Sequence, residues 1–241
     1  MIQGLYSAAS SLTAAERQQE VISHNLAHAT VPGYRGRGLA FSTFETSGTS
    51  DSGASAGQIR GTDASREFTL FRPGDYQQTD NPLELAVRGD GFFALQGPSG
   101  TVYTRNGSFE LNAEGQLQSK SGLLVNGTGG PITIPPATAR ISVGQDGSVS
   151  ADGAQVGQLS VVSFQDSSQL VRVGPTLFDA PPGSGQPSQG QVLQGYREGS
   201  NVGVIQEMVT LIAGSRSYEA ASKALKALSD SLQQRTSPQQ G

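Results

Sequence analysis

Apolar residues near the start of the chain recur at Leu5, Ala8 or Ala9, Leu12, Ala15, Ile22 and Leu26. Steps close to 3.5 residues mark the seam of a coiled coil. Gln19 interrupts that seam. The pattern predicts a helix from about residue 2 to about residue 28, with Gly4 near its start and a stop at Val31-Pro32-Gly33. The other end mirrors it. Val204, Met208, Leu211, Ser215, Tyr218, Ser222, Leu225 and Leu232 alternate in steps of three and four, and Ile205, Ile212 and Leu228 widen the stripe. Asn201 is placed to cap this second helix and Pro238 lies beyond it. Both seams are too narrow for a self-sufficient core, so the helices need each other or neighbouring molecules.

Between them the period changes to that of short strands. Leu85-Ala86-Val87, Phe92-Phe93-Ala94-Leu95, Val102-Tyr103-Thr104, Phe109-Glu110-Leu111, Ile132-Thr133-Ile134 and residues 158–164 are broken by Asn106-Gly107, Asp146-Gly147 and Asp152-Gly153. Such pairs tolerate the positive φ of tight turns. Residues 46–66 and 181–191 are rich in Ser, Gly, Thr, Pro or Gln and read as linkers or flexible loops. The expected fold class is α+β, with paired N- and C-terminal coiled-coil helices and a central mainly-β domain. Residues 1–35 and 195–235 form the discontinuous helical domain, 36–81 and 181–194 are connecting β or flexible segments, and 82–180 form the β domain.

Composition narrows the chemistry. Only 35% of the 241 residues are hydrophobic and 15% charged, with 32 Gly, which suits turn-rich β structure better than a dense enzyme core. A net charge of −4 argues against nucleic acid. With no cysteine, disulfides, thiolate zinc sites and thiol nucleophiles are excluded. The first thirty residues lack a basic segment followed by an apolar one, and no run approaches the roughly 18 apolar residues that span a bilayer. Export, if it occurs, needs another route, and membrane insertion is not expected. His24 and His28 stand four apart, a metal-compatible spacing, yet no third ligand joins them. Asp146 and Asp152 sit beside turn glycines, where Asp serves backbone geometry. Asn106-Gly-Ser and Asn126-Gly-Thr read as hairpin turns before glycosylation acceptors. No catalysis, metal or cofactor is expected.

Four stretches carry a resemblance: residues 22–35 (Ile22 through Asn25, Pro32, Gly33, Tyr34 and Arg35), residues 85–93, Tyr103 to Phe109 followed by Gly115-Gln116-Leu117, and Gly195 to Val202 leading through Met208 to Tyr218-Glu219. In this order they resemble the flagellar rod and hook proteins, closest to the proximal-rod and distal-rod types. His28 and Gly203 depart from the usual pattern, which leaves the subtype open. The resemblance implies a structural subunit of the basal-body rod, part of the shaft linking motor to hook. It implies terminal helices in an inner tube, a β domain outside, and export through the flagellar type III apparatus with no cleaved signal. Implied partners are other rod and hook axial proteins, further copies of itself and the exporter.

The expected assembly interface is Leu5, Leu12, Ile22, Asn25, Leu26, Pro32, Gly33, Tyr34, Asn201, Met208, Leu211, Tyr218 and Leu225. The plainer reading has the apolar residues hold only the two helices of one subunit together, and the Asn25 to Tyr34 stretch end a helix. On the sharper one, the Asn25 amide ties to backbone where the chain leaves the helix. Competing functions are a hook subunit, which usually carries a larger outer domain, an extracellular β-rich adhesin or carbohydrate-binding module, and a rod-derived hydrolase. The adhesin leaves two matched terminal helices unexplained, and the hydrolase lacks an added domain.

Overall fold

The computed structural model describes the backbone of residues 2–46 and 59–236, and the side chains of residues 7–42 and 66–231. The chain divides into two compact units. The first takes Met1–Ala27, Arg37–Leu70 and Gly203–Gly241; the second takes His28–Gly36 and Phe71–Val202.

In the first unit, helix α1 (Ile2–Ala27) stops just before the Pro32-Gly33 turn, and helix α2 (Val204–Thr236) runs without an internal proline. Between them stands an antiparallel hairpin of β1 (Arg37–Thr46) and β2 (Ile59–Thr69). Arg37 faces Thr69, Thr46 faces Ile59, and a bulge falls between Ala40 and Ser42. Residues 59–66, expected as part of a loose segment, are strand, while residues 47–58 of that segment lie outside the described residues. The polar sequence of β2 carries little strand propensity. Its structure comes from pairing with β1 and packing against α1, contacts invisible to a local pattern.

The coiled-coil pair is a correction. The described residues hold two α-helices, but these do not form a long coiled-coil pair. Met208, Ser215 and Ser222, which the spacing placed in the seam, are exposed. The covered line of α2 runs instead through Glu207, Leu211, Gly214, Tyr218, Ala221, Leu225 and Leu228. A coiled coil needs large apolar knobs facing each other on both helices. Here α1 buries Ala14, Ala15 and Ile22 and packs against β2 as well as α2, while α2 offers Gly214 and Ala221 to its covered line. The α+β class itself stands.

The second unit is almost wholly β. Its largest sheet has ten strands, with Phe92–Gly97 paired to Gly100–Thr104, Leu124–Gly127 and Val161–Phe164. Side chains on a strand alternate between faces. Phe93 and Leu95 therefore enter one core with Leu85, Val87, Phe109 and Val125. Phe92 enters another, with Leu170, Phe178 and the flanking Phe71, Tyr103 and Phe164. A central strand buried on both faces explains why Phe92 to Leu95 is an unbroken apolar run. The strand Tyr76–Gln78 pairs with Tyr196–Glu198, so the sequence just after Arg72 meets the sequence just before Asn201.

Candidate functional site

Two arrangements concentrate the residues singled out by sequence. The first joins distant stretches of the second unit. Gly33 has φ +67°, and its N–H donates to the Glu198 carbonyl at 2.8 Å. A β-carbon there would meet the Asn106 backbone nitrogen at 2.3 Å, so this turn admits only glycine. Next to it Tyr34 is fully buried, stacked on His28 at 5.0 Å, with the Arg172 guanidinium 5.3 Å from its ring. Arg35 is fully buried as well, and its Nη2 donates to Glu198 Oε1 at 2.6 Å. The same Glu198 takes Arg105 Nη1 at 3.5 Å on Oε2 and the Gly74 N–H at 3.1 Å on Oε1. Arg105 also donates to the Val87 and Gly89 carbonyls. Burial pushes the Arg105 guanidinium down from its ordinary pKa, and Glu198 opposes that. Burial, then Glu198, pushes the Tyr76 hydroxyl up.

Asn201 belongs to this junction. Its Oδ1 accepts from Gly36 N at 2.7 Å, its Nδ2 donates to Arg72 O at 2.9 Å, and its N–H reaches Tyr34 O at 3.3 Å. The expected capping role falls to another residue. Glu207 N donates to Gly203 O, so the first helical carbonyl of α2 is that of Gly203.

The second arrangement lies in the first unit. Asn25 is buried; its Nδ2 donates to Arg37 O at 2.9 Å and to Glu207 Oε1 at 3.2 Å, and its Oδ1 accepts from Arg37 N at 2.8 Å. One amide thus ties α1 to the first residue of β1 and to α2. Ile22 is buried, and Leu12, Leu26, Leu211, Tyr218 and Leu225 are half-buried. The Leu5 side chain lies outside the described residues. Pro32, half-buried, stays with Gly33 and Tyr34 in the second unit.

On the outward side of α2, Val204, Ile205, Met208, Val209 and Ile212 are all exposed, from 38% for Val204 to 74% for Ile205. Steps of three and four put them on one stripe across two turns. Sequence reasoning counted Met208 as seam and passed over Val209. The signal for the stripe was there, because apolar residues at 204, 205, 208, 209, 211 and 212 exceed what one partner covers. It also passed over Arg35, Arg105 and Glu198 as a set, although each ends or interrupts one of the recurring motifs.

Exposed apolar patches are a general feature of surfaces where proteins meet. The chain thus pairs a helical unit with a β-rich unit, and comparison with known proteins says which kind of protein this is. Residues 86–151 match the family described as the flagellar hook protein FlgE/F/G D1 domain, and residues 193–237 match the flagellar basal body rod FlgEFG protein C-terminal family. The flagellar basal-body rod protein FlgG of Buchnera aphidicola subsp. Schizaphis graminum is 33% identical over 97% of this chain and 98% of its own length. FlgF of Mesorhizobium japonicum is 33% identical over 91% and 90%, and FlgG of Bacillus subtilis 30% identical over 97% and 98%. The chain belongs to the flagellar basal-body rod protein family. It is a structural subunit of the bacterial flagellar basal-body rod.

Proposed function

We propose that the chain does its work by polymerising, with the outward stripe of α2 as a contact to neighbouring axial subunits. The observation that carries this is the exposure of Val204, Ile205, Met208, Val209 and Ile212 on one side of a helix whose other side is already covered. A helical rod needs heterologous contacts, in which one face of a subunit meets a different face of the next. Leu12, Ile22, Leu26, Leu211, Tyr218 and Leu225 have the complementary task of holding α1 and α2 in place. Asn25, and the Pro32 to Tyr34 turn with Asn201, fix the two ends of each chain passage. Partners are other rod and hook axial proteins and further copies of this chain.

The test is a double substitution, Ile205→Lys with Met208→Lys, followed by fractionation of basal bodies. Loss of the variant from the rod, with the monomer folded as before, supports the stripe as the contact. Normal incorporation would remove it from the interface.

We further propose delivery by the flagellar type III exporter with the N-terminal helix retained. Ala14, Ala15, Ile22 and Asn25 are buried parts of the first unit, and cleavage behind them would dismantle its packing. Mass spectrometry of the protein from purified basal bodies should find those residues still attached. A product starting after Asn25 would contradict retention. No helix among the described residues is long and apolar enough to cross a membrane.

A further inference from the structure

The junction of the second unit carries a charge it does not balance. Two guanidinium groups, Arg35 and Arg105, share the single carboxylate of Glu198, and all three side chains are buried. One positive charge is in excess. Among the described residues, no hydrogen-bond acceptor reaches the buried Arg35 Nε, Arg35 Nη1 or Arg105 Nε. The Phe92 ring, 5.0 Å from the Arg105 guanidinium, relieves part of the cost at that residue. Among the described residues no aromatic face meets Arg35, and its one side-chain acceptor is Glu198. Asp90 acts on Arg105 through space but is exposed and pairs with neither arginine. Arg172, on the Tyr34 and Phe178 rings and bonded to the Arg35 carbonyl, adds a further cation to the surroundings.

Buried donors in folded proteins are satisfied, and an uncompensated buried charge is among the most expensive features a structure can hold. A water molecule would satisfy an N–H but leave the charge. A small monovalent anion does both. We propose that the Arg35–Glu198–Arg105 junction binds one such anion, of the halide class, against the Arg35 guanidinium. Bound there, it neutralises the cluster at the point where residues 33–35, 105 and 198 meet. The inference is independent of how the subunit assembles.

The test uses the full-length protein with bromide as the probe. Crystals grown in sodium bromide should show an anomalous peak in contact with the Arg35 guanidinium. The melting midpoint of the second unit should also rise with bromide over sodium gluconate at matched ionic strength, by about 3–6 °C for each tenfold increase above half-saturation. Arg35→Met leaves a neutral Arg105–Glu198 pair and should lose both responses. If that variant does not fold, the two wild-type measurements still decide. An Arg35 site without a peak, or a peak with equal midpoints in bromide and gluconate, overturns the proposal.

Discussion

At Gly33 a single hydrogen atom decides whether the second unit closes. The positive φ excludes most side chains, and the Asn106 nitrogen stands where a β-carbon would go. Gly33→Ala should therefore lower stability by about 3 kcal/mol, read as a fall in the melting midpoint of that unit. A loss under about 1 kcal/mol would mean the turn relaxes and the close approach is incidental. Gly107 meets a similar limit, with the Leu85 carbonyl oxygen 1.8 Å from its would-be β-carbon. Sequence marked both residues as turn glycines. The Arg35–Glu198 pair was illegible for a plain reason: its members lie 163 positions apart, and only the folded sheet brings them to 2.6 Å. Asn25 was readable as a helix-end amide bonded to backbone, and Arg37 is that backbone. Its third bond, to Glu207, again depends on the far end of the chain.

Among the elements, the two helices were legible to within a residue or two, because apolar periodicity and the Pro-Gly stop are local signals. What periodicity could not give was which side of α2 is covered within the subunit. Apolar residues occupy both sides near its start, so spacing alone puts Met208 in a shared seam without saying whether the subunit's own helix or a neighbour faces it. Residues 36–81 read as a connecting β or flexible segment, and the β1–β2 pairing within it was not legible because most of the second strand reads as polar linker. These differences set the expectation for the Ile205→Lys, Met208→Lys variant. Both side chains are exposed, so the isolated protein should change in stability by no more than about 0.5 kcal/mol by denaturant titration. A larger loss would show that the stripe is packed inside the monomer, and the variant would then say nothing about assembly.

For the whole molecule, the two units differ in how much apolar surface they bury. Among the described residues the first unit buries only Ala14, Ala15 and Ile22 among its hydrophobic side chains, whereas the second holds two cores rich in Phe, Leu and Val. Burial of about 25 cal/mol per Å² of apolar surface makes the second unit much the more stable. Calorimetry of the monomer should show two transitions, with the first unit melting at the lower temperature. A single cooperative transition would contradict that ranking. A marginal helical unit with several large apolar residues outward is what a subunit completed by its neighbours requires.

The central claim is that neighbours cover the outward stripe of α2. The chain has no cysteine, so Val209→Cys introduces a single thiol at a position 61% exposed in the subunit. Its maleimide labelling should be compared between purified monomer and intact basal bodies. Fast labelling of the monomer and strong protection in the assembly is the result expected. Equal labelling in both would place α2's apolar stripe on a free surface of the rod and contradict the account.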